Sequence, residues 1–177
     1  MRRFLLPLPL ALFLAACGAR HEGTVAFQVR LKPNGVTGNT IANDVHVAPD
    51  DIKWKTFLSQ AENALEEAPT HFEVTGARIQ LDAMESKNVD TLQDVVLGDV
   101  TAFLRSSETG TQVDIAKVDG PKGNAQVAMD PTGKSLESLD ANLARGDFRL
   151  GLRGSTAKTP SSDFEGVITL TLDITAR

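Results

Sequence analysis

The sequence is poor in the residues that build cross-links and metal centres. Its 177 residues include a single cysteine, Cys17, which excludes an internal disulfide and any zinc or iron–sulfur site made of several cysteines. There are three histidines, no tyrosine and one tryptophan, Trp54. Sugar-binding sandwiches commonly expose tyrosine and tryptophan rings for stacking, so this composition disfavours that use.

The chain also lacks the positive charge that a nucleic-acid partner requires. It has 18 Lys+Arg against 23 Asp+Glu, a formal net charge of −5. Because phosphate backbones are bound by net basic surfaces, we expect no nucleic-acid partner. Its hydrophobic content of 41% excludes a wholly disordered chain.

No hydrophobic run is long enough to cross a bilayer as a helix. The apolar segment at residues 4–16 is interrupted by two prolines, and a spanning helix needs about 20 residues. It follows the basic residues Arg2 and Arg3 and ends in small residues. This arrangement predicts a secretory signal peptide.

The end of this run carries a more specific signal. An aliphatic residue stands three positions before the cysteine, small residues fill the two positions between, and glycine follows: Leu14, Ala15, Ala16, Cys17 and Gly18. The segment resembles the lipobox of bacterial lipoprotein precursors. The resemblance implies cleavage before the cysteine, a diacylglyceryl group on its thiol and usually a further acyl chain, such as palmitate, on the freed amine. Two acyl chains are enough for stable membrane anchoring.

The resemblance also implies a location and a domain plan. Gly18 stands where an aspartate would favour retention in the inner membrane of a Gram-negative cell, so we expect a lipid-anchored outer-membrane protein. Residues 1–16 are then the signal peptide, residues 17–22 a short tether and residues 23–177 a single domain. Ordinary signal cleavage behind Gly18 or Ala19 is the alternative, and it would leave a soluble exported protein.

The remaining sequence has the alternation of half-buried β-strands. A break in phase near Gly76 and Ala77 predicts a β-bulge. The pattern predicts a mostly β, single antiparallel sandwich of about seven strands, in the style of an immunoglobulin or jelly-roll domain. The strand-like segments are residues 24–32, 72–81, 95–105, 112–118, 125–129, 148–153 and 168–175.

One segment has helical spacing instead. Apolar residues recur at helical intervals over residues 50–68, Asp50 or Asp51 can cap the start, and Pro69 follows the end. We expect this amphipathic helix to cover one opening or edge of the sandwich. Trp54 lies on its apolar side, which favours a core position, and a partner-facing anchor is the alternative. The sequence also allows a second short helix at residues 138–144.

Candidate chemistry centres on His46. His21 lies in the tether and His71 opens a strand, whereas His46 has Asp44 and Asp50 near it in the sequence. A carboxylate beside an imidazole can orient it for proton transfer or for a metal. However, Asp50 is better explained as a helix cap, and His46 alternates with valines as an exposed strand residue would. We therefore predict no metal site, with His46 and Asp44 as weak candidates only.

These features predict a non-enzymatic, cofactor-free lipoprotein of the cell envelope. Anchored in the membrane through Cys17, it would bind or scaffold a protein or an envelope polymer. Two alternatives remain open. A carrier of an apolar ligand would need an interior cavity of about 300 Å³ or more, and a hydrolase or metal-dependent enzyme would need His46 buried in a cleft beside two carboxylates.

Overall fold

The structure, a computed structural model, describes residues 19–156 and 163–177. The described residues form nine β-strands and two α-helices. In chain order they are β1 (His21–Leu31), β2 (Val36–Thr37), β3 (Thr40–Val47), α1 (Ile52–Leu65), β4 (Phe72–Leu81), β5 (Val100–Ser106), β6 (Gln112–Val118), β7 (Val127–Pro131), α2 (Asp140–Arg145), β8 (Phe148–Ser155) and β9 (Gly166–Ala176).

The nine strands form one curled sheet in which every pair is antiparallel. Its order is β1-β9-β4-β7-β6-β5-β8-β3-β2, and β1 pairs with β9 along its whole length. Strand β7 connects the two halves, because Val127–Met129 pair with β4 whereas Asp130 and Pro131 pair with β6. Apolar side chains line the inside of the curl. The prediction of a mostly β, antiparallel domain is confirmed.

The strand count differs from the expected seven because β2 and β3 were not counted as strands, although His46 was interpreted as an exposed strand residue. Strand β3 lacks clean alternation, since Asn43 takes an inward position between Ile41 and Val45. Its Oδ1 accepts a hydrogen bond from the backbone N of Lys32, 3.1 Å away. A polar residue at an inward position hides the strand from an analysis of hydrophobic period.

Two strand boundaries also move. Strand β1 begins at His21, so His21 and Glu22 belong to the sheet, opposite Ala176 and Thr175, and not to the tether. Strand β5 begins at Val100 and not at residue 95. A short 3₁₀ turn at Leu92–Asp94, with a capping box from Thr91, takes up the chain before it.

The predicted bulge in β4 is confirmed, because the register with β9 shifts between Val74 and Gly76. A second bulge shifts the register of β5 against β6 between Ala102 and Phe103. It leaves Phe103 and Asp114 opposite each other on the outer side of the sheet. This second bulge was not predicted.

Helix α1 closes one end of the curled sheet. It is shorter than the predicted residues 50–68, and the side chain of Asp51 caps it by accepting a hydrogen bond from the N of Trp54 at 2.9 Å. The helix packs beside β1, where Lys53 Nζ donates to the carbonyl of Ala26 at 2.9 Å. The short helix α2 confirms the second helical segment, and Gly146 ends it with a φ of 70°.

Trp54 is the centre of an aromatic cluster at this end. Its ring lies 5.1 Å from that of Phe57, 6.0 Å from Phe72 and 4.9 Å from Phe148. Its Nε1 donates a hydrogen bond to the carbonyl of Leu143 at 2.8 Å, which links α1 to α2. The side chain therefore joins both helices to the sheet.

Trp54→Phe should lower the free energy of unfolding by about 2 kcal/mol, because the smaller ring leaves a cavity and cannot donate the hydrogen bond to the carbonyl of Leu143. Urea unfolding followed by circular dichroism measures the change, since the variant has no tryptophan fluorescence. The matched control is Lys55→Ala on the exposed side of α1, which should alter stability by less than about 0.5 kcal/mol. Equal stability of the Trp54 variant and the parent would contradict the role assigned to this residue.

Candidate functional site

The structure pairs His46 with a carboxylate, but not with one of its sequence neighbours. His46 Nε2 lies 2.8 Å from Oδ1 of Asp147, the residue that follows α2 and Gly146. The His46 side chain is 46% exposed on the outer side of β3. It therefore has one carboxylate partner on an open surface, and not the two-carboxylate cleft that the enzyme hypothesis needs.

Asp44 has a different role from the one considered for it. Its Oδ1 accepts hydrogen bonds from Nε and Nη2 of Arg149 at 2.9 and 2.5 Å, and its Oδ2 accepts one from Arg105. Asp44 therefore holds two arginines. The hydrogen bond to Asp44 raises the pKa of Arg149 above its ordinary value.

Trp54 is only 2% exposed, so the structure assigns it to the core and not to a partner-facing surface. Cys17, the predicted site of lipid attachment, lies outside the described residues. In the described ranges, no three His, Cys, Asp or Glu side chains come together as a metal site would require. No helix in the described part of the chain is both long and apolar enough to span a bilayer.

The interior beneath the helices is filled. The enclosed space between Trp54, Phe148 and the aliphatic side chains around them has a volume of about 10 Å³. That is room for about one water molecule, whereas a small-molecule pocket has roughly 300 Å³ or more. This space therefore gives no support to a carrier of apolar ligands.

A polar groove of about 450 Å³ opens at the end of the sheet where β1 begins. His71 Nδ1 lies 2.8 Å from Oδ2 of Asp140, and Arg177 Nη2 lies 3.1 Å from Oε2 of Glu73. Lys134 also lines the groove. Glu137 adds a third carboxylate, so the lining mixes acidic and basic groups.

A second open groove, of about 530 Å³, lies on the outer side of β3, β8, β5 and β6. The outward side chains of these four strands form what we call the arginine face. Its charged members are four basic and two acidic residues: Arg105, Lys117, Arg149, Arg153, Asp44 and Asp114. Asp44 and Asp114 lie in one row across the strands, with Gly151 and Phe103 between them.

The aromatic ring of Phe103 covers the middle of the arginine face. Phe103 points outward but is only 4% exposed. A Cβ at Gly151 would overlap the Phe103 ring and lie 2.7 Å from the carbonyl of Asn43. The absence of a side chain at position 151 is therefore what lets the ring lie across β8, with the guanidinium carbon of Arg105 6.0 Å from its centroid.

The alternation at residues 148–153 predicts a strand, but it does not reveal this face. Its assembly depends on strand register, which sets Arg105 opposite Arg149 and Gly151 between Asp44 and Phe103. The only signal in the sequence is Gly151, which has one arginine two positions before it and another two positions after it, within an otherwise strand-like segment. Such a glycine indicates a close approach of another group.

Comparisons with known proteins add no assignment. No protein family and no curated protein matches the chain. Among solved structures, the decameric BFDV capsid protein is similar at 19% identity with a TM-score of 0.38, over 89% of this chain and 99% of that one. The virus-like particle protein of the extra small virus of the prawn Macrobrachium rosenbergii is similar at 11% identity with a TM-score of 0.24, over 99% and 92%. Because both TM-scores are low, neither similarity bears on the fold or the function of this chain.

His46→Ala should raise the pKa of the Asp147 carboxyl toward its ordinary value. The hydrogen bond with His46 is the main cause that lowers this pKa, and Ser107 contributes a second bond. A lowered pKa means that Asp147 stabilises the fold above its unfolded-state pKa and loses this effect as pH falls through the folded value. In the variant, this contribution should be smaller, and its loss should be complete at a higher pH. Carbon NMR titration of the Asp147 carboxyl measures the shift.

Glu165 is the internal control, because Arg30 lowers its pKa by a separate hydrogen bond. Its titration should not change in the His46 variant. An unchanged Asp147 titration, or equal shifts at both carboxyls, would contradict the local pairing.

Proposed function

We propose that this chain is a non-enzymatic lipoprotein of the cell envelope, anchored in the outer membrane through lipidated Cys17. In this role the β-domain binds or scaffolds a protein or an envelope polymer. The observation that carries the proposal is the resemblance of residues 14–17 to a lipobox, three residues before a strand that starts at His21.

The short spacing determines how close the domain lies to lipid. Four residue steps separate Cys17 from His21, which is at most about 14 Å of extended chain. His21 is held in the sheet opposite Ala176, and its ring packs 5.6 Å from that of Phe57 on α1. The helix-covered end of the domain is therefore the end nearest the membrane in this proposal.

We also propose that the curled sheet is a β-sandwich, with β1, β9 and β4 in one layer and β5, β8 and β3 in the other. Contact across the interior supports this arrangement. The ring of Phe27 on β1 meets that of Phe148 on β8 edge to face, with centroids 6.4 Å apart. An antiparallel sandwich offers its loops, its edges and its outer faces for binding.

The same structure offers no specific support for an enzyme. The pair of His46 and Asp147 is oriented like a general base and its carboxylate, but it lies on an open surface. Among the described residues, the side-chain hydrogen bonds of His46 and His71 join carboxylates, and neither joins a nucleophile. Binding therefore remains the better proposal.

Cys17→Ser should abolish incorporation of radiolabelled palmitate and move the protein from the detergent phase to the aqueous phase of a detergent partition. The physical reason is loss of the acyl chains, each methylene of which contributes about 0.8 kcal/mol to membrane binding. Arg20→Gln is the control, since it changes the tether but leaves the lipobox intact. Continued labelling of the Cys17→Ser variant would overturn the proposal.

Gly18→Asp should shift the lipidated protein from the outer-membrane to the inner-membrane fraction. The reason is the resemblance itself, in which the residue after the cysteine directs sorting. Sucrose-gradient separation of the two membranes measures the distribution. Gly18→Ser is the matched control and should stay with the outer membrane. Parent protein already located in the inner membrane would contradict the assigned location while leaving lipidation intact.

A further inference from the structure

The arginine face carries a charge opposite to that of the chain. The whole chain has a formal net charge of −5, whereas the four strands of this face present four basic side chains against two acidic ones, a surplus of two positive charges. Concentrating basic groups on one side of an acidic protein gives that side its own attraction for anions.

The two acidic residues of the face, Asp44 and Asp114, do not engage all of its N–H donors. Asp44 is shared by Arg105 and Arg149. Asp114 accepts from Arg153 at 2.7 Å, and Lys134 Nζ lies 3.7 Å from the same oxygen. Each of these carboxylates is therefore already neutralised by more than one cation.

Arg105 and Arg153 keep further donors free. Each uses one terminal guanidinium nitrogen for its aspartate, and a guanidinium carries several N–H groups in a planar fork. Within residues 19–156 and 163–177, the remaining N–H groups of both arginines have no protein partner, and neither does Lys117. The side chains of Arg105 and Arg153 are 35% and 43% exposed, so their remaining N–H groups are accessible.

The two arginines line one defined groove. It has a volume of about 530 Å³, and both Arg105 and Arg153 line it. Arg105 pairs with Arg149 and Arg153 pairs with Thr101, so the two are four residues apart along β5 and β8, about 13 Å. Amide groups of Asn34 and Gln112 complete the walls.

The residues that line the groove indicate what kind of molecule carries the anionic group. Amides donate and accept hydrogen bonds, as hydroxyl groups require, whereas Phe103 is covered and offers little apolar surface. A phosphate ester is anionic at pH 7, so a face with a surplus of positive charge attracts it. Guanidinium forks bind phosphate oxygens in pairs of hydrogen bonds.

We infer that the groove on the arginine face binds a phosphate ester of a hydroxyl-rich molecule. Arg105 and Arg153 donate to the ligand from the two sides of the groove, and Asn34 and Gln112 contact its hydroxyl groups. This ligand specifies the binding role proposed above and rests on that role, but it does not depend on the lipid anchor. The phosphate can come from a soluble ester or from a lipid headgroup.

The test is a titration of the full chain, solubilised in neutral detergent, with glycerol phosphate. Proton–nitrogen NMR signals of the arginine side chains report binding. The Arg105 and Arg153 signals should shift and saturate, whereas neither glycerol nor sodium chloride at the same ionic strength should reproduce the effect. Shifts equally large with sodium chloride would overturn the inference, because they would indicate charge screening alone.

Arginine variants assign the effect to residues. Arg105→Gln and Arg153→Gln should each weaken glycerol phosphate binding about tenfold. Both variants should fold, because Asp44 keeps Arg149 and Asp114 keeps Lys134. The matched control is Arg78→Gln on β4, which breaks a comparable 2.8 Å pair with Asp173 outside the groove. Equal weakening in all three variants would contradict a specific site.

Two arms distinguish the sources of phosphate. The same arginine signals are followed in bicelles of phosphatidylcholine with and without phosphatidylglycerol. Shifts with glycerol phosphate but not with phosphatidylglycerol assign the site to a soluble ester, and shifts with both assign it to a lipid headgroup. Shifts with neither overturn the inference, and they leave the palmitate and fractionation results of the lipoprotein proposal untouched.

Discussion

The pairing of β1 with β9 is the constraint on which the rest of the domain depends. It runs from His21 opposite Ala176 to Leu31 opposite Gly166, and so joins the first and last strands along their whole length. Because β9 also pairs with β4, this ladder fixes the layer against which α1 and the Trp54 cluster pack. It also fixes where the chain before residue 21 meets the domain, and the proposed lipid anchor at Cys17 would hold the domain from that point.

The parts of this fold that follow local chemical rules were predictable from the sequence. Period-two alternation revealed the long strands, and an aspartate three residues before Trp54 marked the cap of α1. Strand β3 escaped because Asn43 faces inward, and the start of β1 was placed too late because His21 and Glu22 are polar. The curl of the sheet and the bulge at Phe103 depend on contacts between residues far apart in the chain, which no local pattern contains.

The candidate sites show the same division. His46 and Asp44 were candidates by residue type, because imidazoles and carboxylates carry most proton and metal chemistry. The structure separates them, giving His46 to Asp147 and Asp44 to two arginines. What it brings together instead is a cationic groove built around Gly151. Three of its features, the register, the flat ring of Phe103 and the shared aspartates, arise only when four strands assemble.

The two proposals concern different parts of the chain. The lipobox-like segment before β1 is proposed to hold the domain at the membrane, and the arginine face is proposed to bind an anionic ligand. The most direct measurement is the intact mass of the mature protein extracted from cell membranes, together with the mass of its first peptide. A lipid-anchored protein would give a polypeptide that begins at Cys17 and carries the added mass of a diacylglyceryl group. A mature chain that starts after Cys17, without any acyl mass, would contradict it.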